Sequence, residues 1–205
     1  FLKKNALKIK DHKKLKKVCD KVGIQYLCTP FSLKAAIELN NNIKIDAFKI
    51  GSGEMTDYPF LKEVLKLKKP MIVSTGMSTK QEIQETYKVL KKCKNLVFMN
   101  CLSEYPPDYK DLNLGYIKVL KDKYPDIIIG HSDHTGEIYS SISAYTLGAR
   151  VIEKHITLNK KFKGPDQKVS IDFSDLKDLI KGLRLLQNSF GENKVIHKKE
   201  IQIRR

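Results

Sequence analysis

Six apolar runs rich in Ile, Val and Phe recur along the chain, at residues 24–28, 46–50, 71–75, 96–101, 127–130 and 151–155. Beside them lie segments whose apolar residues keep i, i+3, i+4 spacing: Val18 with Val22, Leu61 with Val64 and Leu65, Ile83 with Tyr87 and Leu90, Ile142 with Tyr145 and Thr146. The alternation predicts strands followed by helices. Strand-to-strand spacings of about 20 to 30 residues suit βα units, whose crossover needs a dozen or more. Strands that are apolar at nearly every position belong to a parallel sheet covered by helices.

Each run ends in a polar or glycine-containing cluster: Thr29-Pro30, Ser52-Gly53-Glu54, Ser74-Thr75-Gly76, Ser103-Glu104-Tyr105, Ser132-Asp133-His134 and Glu153-Lys154-His155. In a (β/α)-barrel all strand C-termini converge on one face, where sites are built. A doubly wound sheet uses mainly the ends at its switch point. The pattern therefore predicts an α/β fold of the (β/α)8 TIM-barrel type, with about six of eight units present. Nothing before residue 24 reads as a strand, since residues 3–22 form a lysine-rich amphipathic helix. Residues 174–190 read as the helix after the last strand, with Ser174 as N-cap. The two missing strands are expected upstream, which makes residues 1–190 a partial barrel.

Composition changes this picture little. At 205 residues and 41% hydrophobic content the chain makes one soluble domain or most of one, and no apolar run approaches the roughly 18 residues of a membrane span. The net charge of +16 raises the question of nucleic acid. The only arginines, however, are Arg150, Arg184, Arg204 and Arg205, and base and phosphate recognition leans on the planar arginine fork. The lysines are spread over helix faces, so no nucleic acid and no membrane are expected as partners. Cys19, Cys28, Cys93 and Cys101 show no C-x-x-C spacing, which fits a reducing, cytoplasmic setting.

Two histidines carry the strongest chemical signal. His134 and His155 stand at the ends of successive runs, in "GHSDHT" and "EKHIT". Neighbouring parallel strands lie about 4.8 Å apart, so imidazoles at equivalent ends can close on one metal ion. Two imidazoles leave coordination positions open, which suits an ion that also binds substrate oxygens. Asp133 or Glu153 is expected to orient an imidazole, and His131, alternating away from Ser132, to pack or to sit at the rim.

Lys49 follows from alternation. It shares a face with Ala47, opposite Phe48 and Ile50. With those two against the helices, Lys49 turns into the barrel, where it needs an anion: a carboxylate such as Glu153, or a ligand phosphate. The hydroxyls of Ser52, Ser74, Ser103 and Ser132, with N–H groups from turns at Gly51, Gly53 and Gly76, can hold phosphate oxygens. Glu54, Tyr105 and Asp166 are polar loop residues at the same mouth, of types that bind sugar hydroxyls or transfer protons.

The segments "FKIGSGE", "PMIVSTGM", "CLSEYPPDY", "GHSDHTGE", "VIEKHIT" and "GPDQKVS" stand in the order found in the sialic acid synthase family, the N-acetylneuraminate and related nonulosonate synthases. The chain resembles that family over nearly its whole length. The resemblance implies a (β/α)8 barrel followed by a small antifreeze-like domain, working as a homodimer. It implies condensation of phosphoenolpyruvate with N-acetylmannosamine or a related 2-acetamido hexose, with release of phosphate. It further implies a divalent ion, Mn2+ or Mg2+, held by His134 and His155, where it polarises the sugar aldehyde. Lys49, Ser52, Ser74, Ser103 and Ser132 match positions that hold phosphoenolpyruvate; Glu54, Tyr105 and Asp166 match positions near the amino sugar.

The family's first-strand glutamate and second-strand lysine would lie upstream of Phe1, and residues 191–205 would lead toward the antifreeze-like domain. His131 stands where the family usually has Tyr or Leu, and Gln167 where "GPDHK" has His. An open sheet of six strands would expose two unpaired edges. Three other readings compete: a non-catalytic remnant that keeps the fold and at most binds ligand, a basic nucleic-acid binder, and a barrel aldolase using pyruvate as donor.

Overall fold

The computed structural model describes residues 6–204. Its order is α1 (Ile9–Val22), α2 (Leu33–Glu38), β1 (Phe48–Ile50), α3 (Tyr58–Leu65), β2 (Met71–Ser74), α4 (Lys80–Leu90), β3 (Leu96–Cys101), α5 (Tyr116–Lys123), β4 (Ile128–Asp133), α6 (Tyr139–Thr146), β5 (Val151–Lys154), α7 (Phe173–Ser189) and the short α8 (Lys198–Ile201). All five strands are parallel and lie in sequential order. Sequential order without reversal is the arrangement of a barrel wall and excludes the doubly wound alternative. The fold is a partial (β/α)8-type barrel.

Five of the six apolar runs become strands. The first, 24–28, contributes a single parallel bridge from Cys28 to Phe48 and no strand. It still marks the next position along the wall. A second bridge, Ile156 to Ile171, continues the wall past β5.

Helix starts are set locally. Thr79 and Glu82 form a capping box at α4, and Asp57 accepts from the Phe60 N–H at α3. The expected N-cap at Ser174 is displaced by two residues. Asp172 takes the role, its carboxylate accepting from the N–H groups of Ser174 and Asp175. An ionised carboxylate is the stronger acceptor at a helix N-terminus. The predicted helix over 3–22 is observed as α1; residues 1–5 lie outside the described residues.

The core lies between the sheet and the helices. Phe48, Ile50, Met71, Val73, Phe98 and Ile129 meet Leu61, Val64, Ile83, Leu90, Ile117 and Leu120. Phe98, Tyr87 and Tyr124 form an aromatic cluster with ring centroids 4.7 to 6.5 Å apart. On the barrel side, a Cβ on Gly130 would lie 2.6 Å from the Val151 carbonyl oxygen, so glycine is what lets β4 and β5 approach around Met99.

Apolar faces stand exposed at both edges of the wall. Val18, Val22 and Ile24 are exposed at the first edge, and Phe173, Ile180 and Leu185 of α7 at the other. No helix among the described residues is long and apolar enough to cross a membrane.

His131 points to the helix side and is buried, so it packs and does not sit at a rim. Its Nδ1 donates to the Asn100 carbonyl at 3.0 Å, while its Nε2 and the neighbouring Asn100 Nδ2 have no protein partner. Burial pushes its pKa below the usual imidazole value, against the opposing pull of Asp133 and the Asn100 carbonyl. An imidazole that resists protonation when folded destabilises the fold only where the unfolded chain takes up the proton. Stability should therefore fall as pH drops below about 6.5 and be unaffected by this group above it. Denaturant unfolding from about pH 8 to about pH 5 should show a shallower acid loss for His131→Leu than for wild type. Parallel profiles would contradict this.

Candidate active site at the strand C-termini

The C-terminal ends of β1 to β5 open onto one cavity of about 610 Å3. Lys49, Ser52, Glu54, Ser74, Ser103, Tyr105, Ser132, His134 and His155 all line it. Asp166 does not. It is exposed at the start of the turn Gln167–Val169, and its backbone carbonyl accepts from the Ser170 hydroxyl at 2.7 Å. Its charge reaches the cavity only indirectly, as one of the influences on Tyr105.

Strand alternation explains the gathering. Lys49, Ser132 and Glu153 sit on positions facing away from the helix-packed Phe48, Ile50 and Ile129. Lys49 is buried and donates to the Ser74 hydroxyl at 2.8 Å and to the Ile50 carbonyl at 3.1 Å. Its ammonium lies 3.5 Å from Glu153 Oε1. The same oxygen accepts from the Ser132 hydroxyl at 2.7 Å. Hydrogen bonds and one ion pair thus tie β1, β2, β4 and β5 together across the cavity. The ion pair supplies the carboxylate partner expected for Lys49, and the side chain of Glu153 remains 40% exposed to the cavity.

Beside this network, the Gly76 N–H donates to Ser52 Oγ at 3.1 Å. The Cys101 thiol lies 3.6 Å from Ser52 Oγ and 3.9 Å from Ser103 Oγ. A Cβ on Gly76 would sit 2.7 Å from Ser52 Oγ and closer still to Ser103 Oγ. Only glycine lets the backbone lie against both hydroxyls. This half of the cavity gathers one ammonium and several hydroxyls, donors of the kind that can bind an oxyanion.

The two histidines line the same cavity from the ends of β4 and β5. Their rings are 5.3 Å apart, centroid to centroid. His134 Nδ1 lies 2.7 Å from the Leu102 carbonyl, which can only accept, so the proton sits on Nδ1 and Nε2 presents a lone pair. Burial, aided by the neighbouring His155, holds the His134 pKa below the usual imidazole value and keeps the ring neutral. Tyr105 stacks on that ring at 4.2 Å, and its hydroxyl donates to Nε2 at 3.0 Å. Burial first, then the nearby Cys101, Asp166 and Glu153, raise the phenol's pKa, so it stays a donor. Among the described residues no group of three or more His, Cys, Asp or Glu side chains could hold a metal by itself.

Neither carboxylate expected to orient an imidazole does so. Glu153 serves Lys49 and Ser132. Asp133 faces the helices, where it pairs with Lys154 and accepts from Thr135, Ser140 and Ser141. The Leu102 carbonyl takes the orienting role instead, a backbone partner invisible in side-chain spacing. Glu153 and Lys154 as cavity residues, and Thr29, Phe31, Met77 and Cys101, were not among the expected site residues. Phe31 and Met77 stand 75% and 74% exposed at the rim. Their signal is an apolar residue directly after a strand-end cluster.

A parallel barrel wall whose C-terminal rim gathers a lysine, serines and two histidines is the frame of a barrel enzyme. The family to which it belongs follows from comparison: residues 1–195 match the NeuB family. The chain is a member of the NeuB family. It is 40% identical over 196 residues to the N,N'-diacetyllegionaminic acid synthase of Campylobacter jejuni, covering 94% of this chain and 58% of that protein. It is 33% identical over 181 residues to the human N-acetylneuraminate-9-phosphate synthase, covering 88% of this chain and 50% of that one. A crystal structure of the N-acetylneuraminic acid synthetase of Leptospira borgpetersenii superposes with a TM-score of 0.88 at 28% identity, over 97% of this chain and 70% of that one. The chain thus spans little more than half the length of the curated relatives it matches.

The crowding at Gly76 tests the oxyanion half directly. Gly76→Ala would displace the Ser52 and Ser103 hydroxyls. Losing one or two hydrogen bonds to a charged ligand, each about 1.5–3 kcal/mol, should weaken inorganic phosphate binding by at least about tenfold. Calorimetric titration of wild type and variant reads this. Unchanged affinity would show that these hydroxyls hold no oxyanion.

Proposed function

We propose that this chain forms the core of a nonulosonate synthase. Such an enzyme joins phosphoenolpyruvate to N-acetylmannosamine or a related 2-acetamido hexose and releases inorganic phosphate. The observation that carries the reading is one cavity with two chemically opposite halves: Lys49 with the serine hydroxyls on one side, His134 and His155 on the other. The relatives support the reaction class by their names, and those names differ in the sugar.

In this reading Lys49 and the hydroxyls of Ser52, Ser74, Ser103 and Ser132 hold the phosphate and carboxylate of phosphoenolpyruvate. Tyr105 and Glu54, with Asp166 in the adjoining loop, contact the amino sugar. His134 and His155 hold a divalent ion, Mn2+ or Mg2+. The donor set fits: with Nδ1 held by the Leu102 carbonyl, His134 Nε2 carries the lone pair, which the Tyr105 hydroxyl would yield to the ion, and two imidazoles leave positions for substrate oxygens. When bound, the ion supplies Lewis-acid polarisation of the open-chain aldehyde. The chain's own contribution is positioning, which aligns C3 of phosphoenolpyruvate with the aldehyde carbon. Addition of water and loss of phosphate then give the 2-keto acid. A homodimer completed by a C-terminal antifreeze-like domain in the whole protein belongs to the same proposal.

Phosphate release from phosphoenolpyruvate with N-acetylmannosamine and Mn2+, measured on the natural full-length protein, tests it. Several kcal/mol of Lewis-acid stabilisation correspond to about a hundredfold or more in rate. His134→Ala and His155→Ala should each lose that much. Unchanged turnover in both would refute the metal assignment, and turnover with pyruvate as donor would favour an aldolase instead.

A further inference from the structure

Behind the same two strand ends lies a second polar cluster, which the cavity chemistry does not use, although Lys154 also borders the cavity. Asp133 and Lys154 are direct cross-strand partners in the β4–β5 register. Their charged groups meet at 3.0 Å with side chains 0% and 4% exposed. Asp133 Oδ1 accepts from the Thr135 N–H and hydroxyl, each at 2.9 Å, and Oδ2 from the Ser140 and Ser141 hydroxyls, each at 2.5 Å. Lys154 also donates to the Thr135 carbonyl at 2.5 Å and to its hydroxyl at 3.0 Å. The cluster therefore clamps β4, β5, the turn after β4 and the start of α6 into one unit.

A buried ion pair is a poor device for stability, because desolvation offsets its attraction and apolar residues of similar size serve as well. Its value is geometric. His134 follows Asp133 and His155 follows Lys154, and successive side chains leave a strand on opposite faces. The clamp on the helix side thus fixes the two points from which the imidazoles enter the cavity. The Leu102 carbonyl orients the His134 ring but touches neither β5 nor His155. Two side-chain ties join the histidine-bearing ends: the Ser132–Glu153 hydrogen bond on the cavity side and the Asp133–Lys154 pair, in the register step next to the histidines, on the other.

We propose that Asp133 and Lys154 are positioning residues that set the His134–His155 spacing and thereby the affinity of the site for a divalent cation. This rests on the reading of the two histidines as the metal-holding pair. Lys154→Met removes the tie while leaving Asp133 its four hydrogen bonds from Thr135, Ser140 and Ser141. Lys154→Arg keeps a charged donor within reach of Asp133 and the Thr135 carbonyl.

The experiment is titration of the natural full-length protein with Mn2+ alone, following free Mn2+ by electron paramagnetic resonance, alongside thermal melting. Displacing a group that orients metal ligands weakens binding by about ten- to a hundredfold. Lys154→Met should show that loss while still melting cooperatively, and Lys154→Arg should restore most of the affinity. If Lys154→Met fails to fold, Asp133→Asn takes its place, with the same loss expected. Wild-type affinity in a folded Lys154→Met or Asp133→Asn would overturn the proposal alone. Absence of Mn2+ binding in wild type, or binding unaffected by His134→Ala, would overturn the metal reading and this proposal together.

Discussion

Parallel pairing of consecutive strands carries all five C-terminal ends to one rim, and its register decides which side chains meet there. Phe48 pairs with Met71, Ser74 with Met99, Cys101 with Ser132, and Asp133 with Lys154. A slip of one residue in any pair would exchange its two faces. Lys49 would then enter the apolar layer against the helices, and Phe48 would enter the cavity. The apolar residues that lock the register, Phe48, Ile50, Val73, Phe98 and Ile129, are thus the physical cause of the site, although none contributes a polar side-chain atom to it.

With that register set, each strand end works on two sides. The cavity side carries groups that ask for ligands: a lysine beside a part-exposed glutamate, hydroxyls beside the Gly76 turn, and two imidazoles. The helix side carries groups that satisfy one another, with Asp133 surrounded by donors. Burial alone would raise the Asp133 carboxyl, but Lys154 and the Ser140 and Ser141 hydroxyls outweigh it and hold it below the usual carboxylate range. One face is left reactive and the other rigid, which is what a binding site on a barrel rim requires.

Much of this was legible in the sequence for a simple reason: period-two alternation in a short buried strand leaves little freedom. Lys49 between Phe48 and Ile50 can face only the barrel, and nine of the ten expected site residues line the cavity. What stayed hidden depends on partners distant in sequence or on the backbone. The orienting acceptor for His134 is the Leu102 carbonyl, and peptide groups carry no residue signature. Asp133, adjacent to a site histidine, reads as its orienting partner, yet the same alternation that sends His134 inward sends Asp133 outward. The run at 24–28 has strand composition but pairs only at Cys28, because pairing depends on both neighbours and composition describes only one. Asp166 lies one loop too far out for its side chain to line the cavity.

A single cavity holding a divalent cation opposite an oxyanion is the central claim, and a crystal of the natural full-length protein grown with Mn2+ and phosphoenolpyruvate tests it most directly. The account predicts a manganese anomalous peak within ligand distance of His134 Nε2 and the His155 ring. It also predicts the phosphoenolpyruvate phosphate or carboxylate within hydrogen-bond reach of Lys49 and the Gly76 turn. Manganese bound away from both histidines, or phosphoenolpyruvate bound outside the β1–β5 rim, would contradict it.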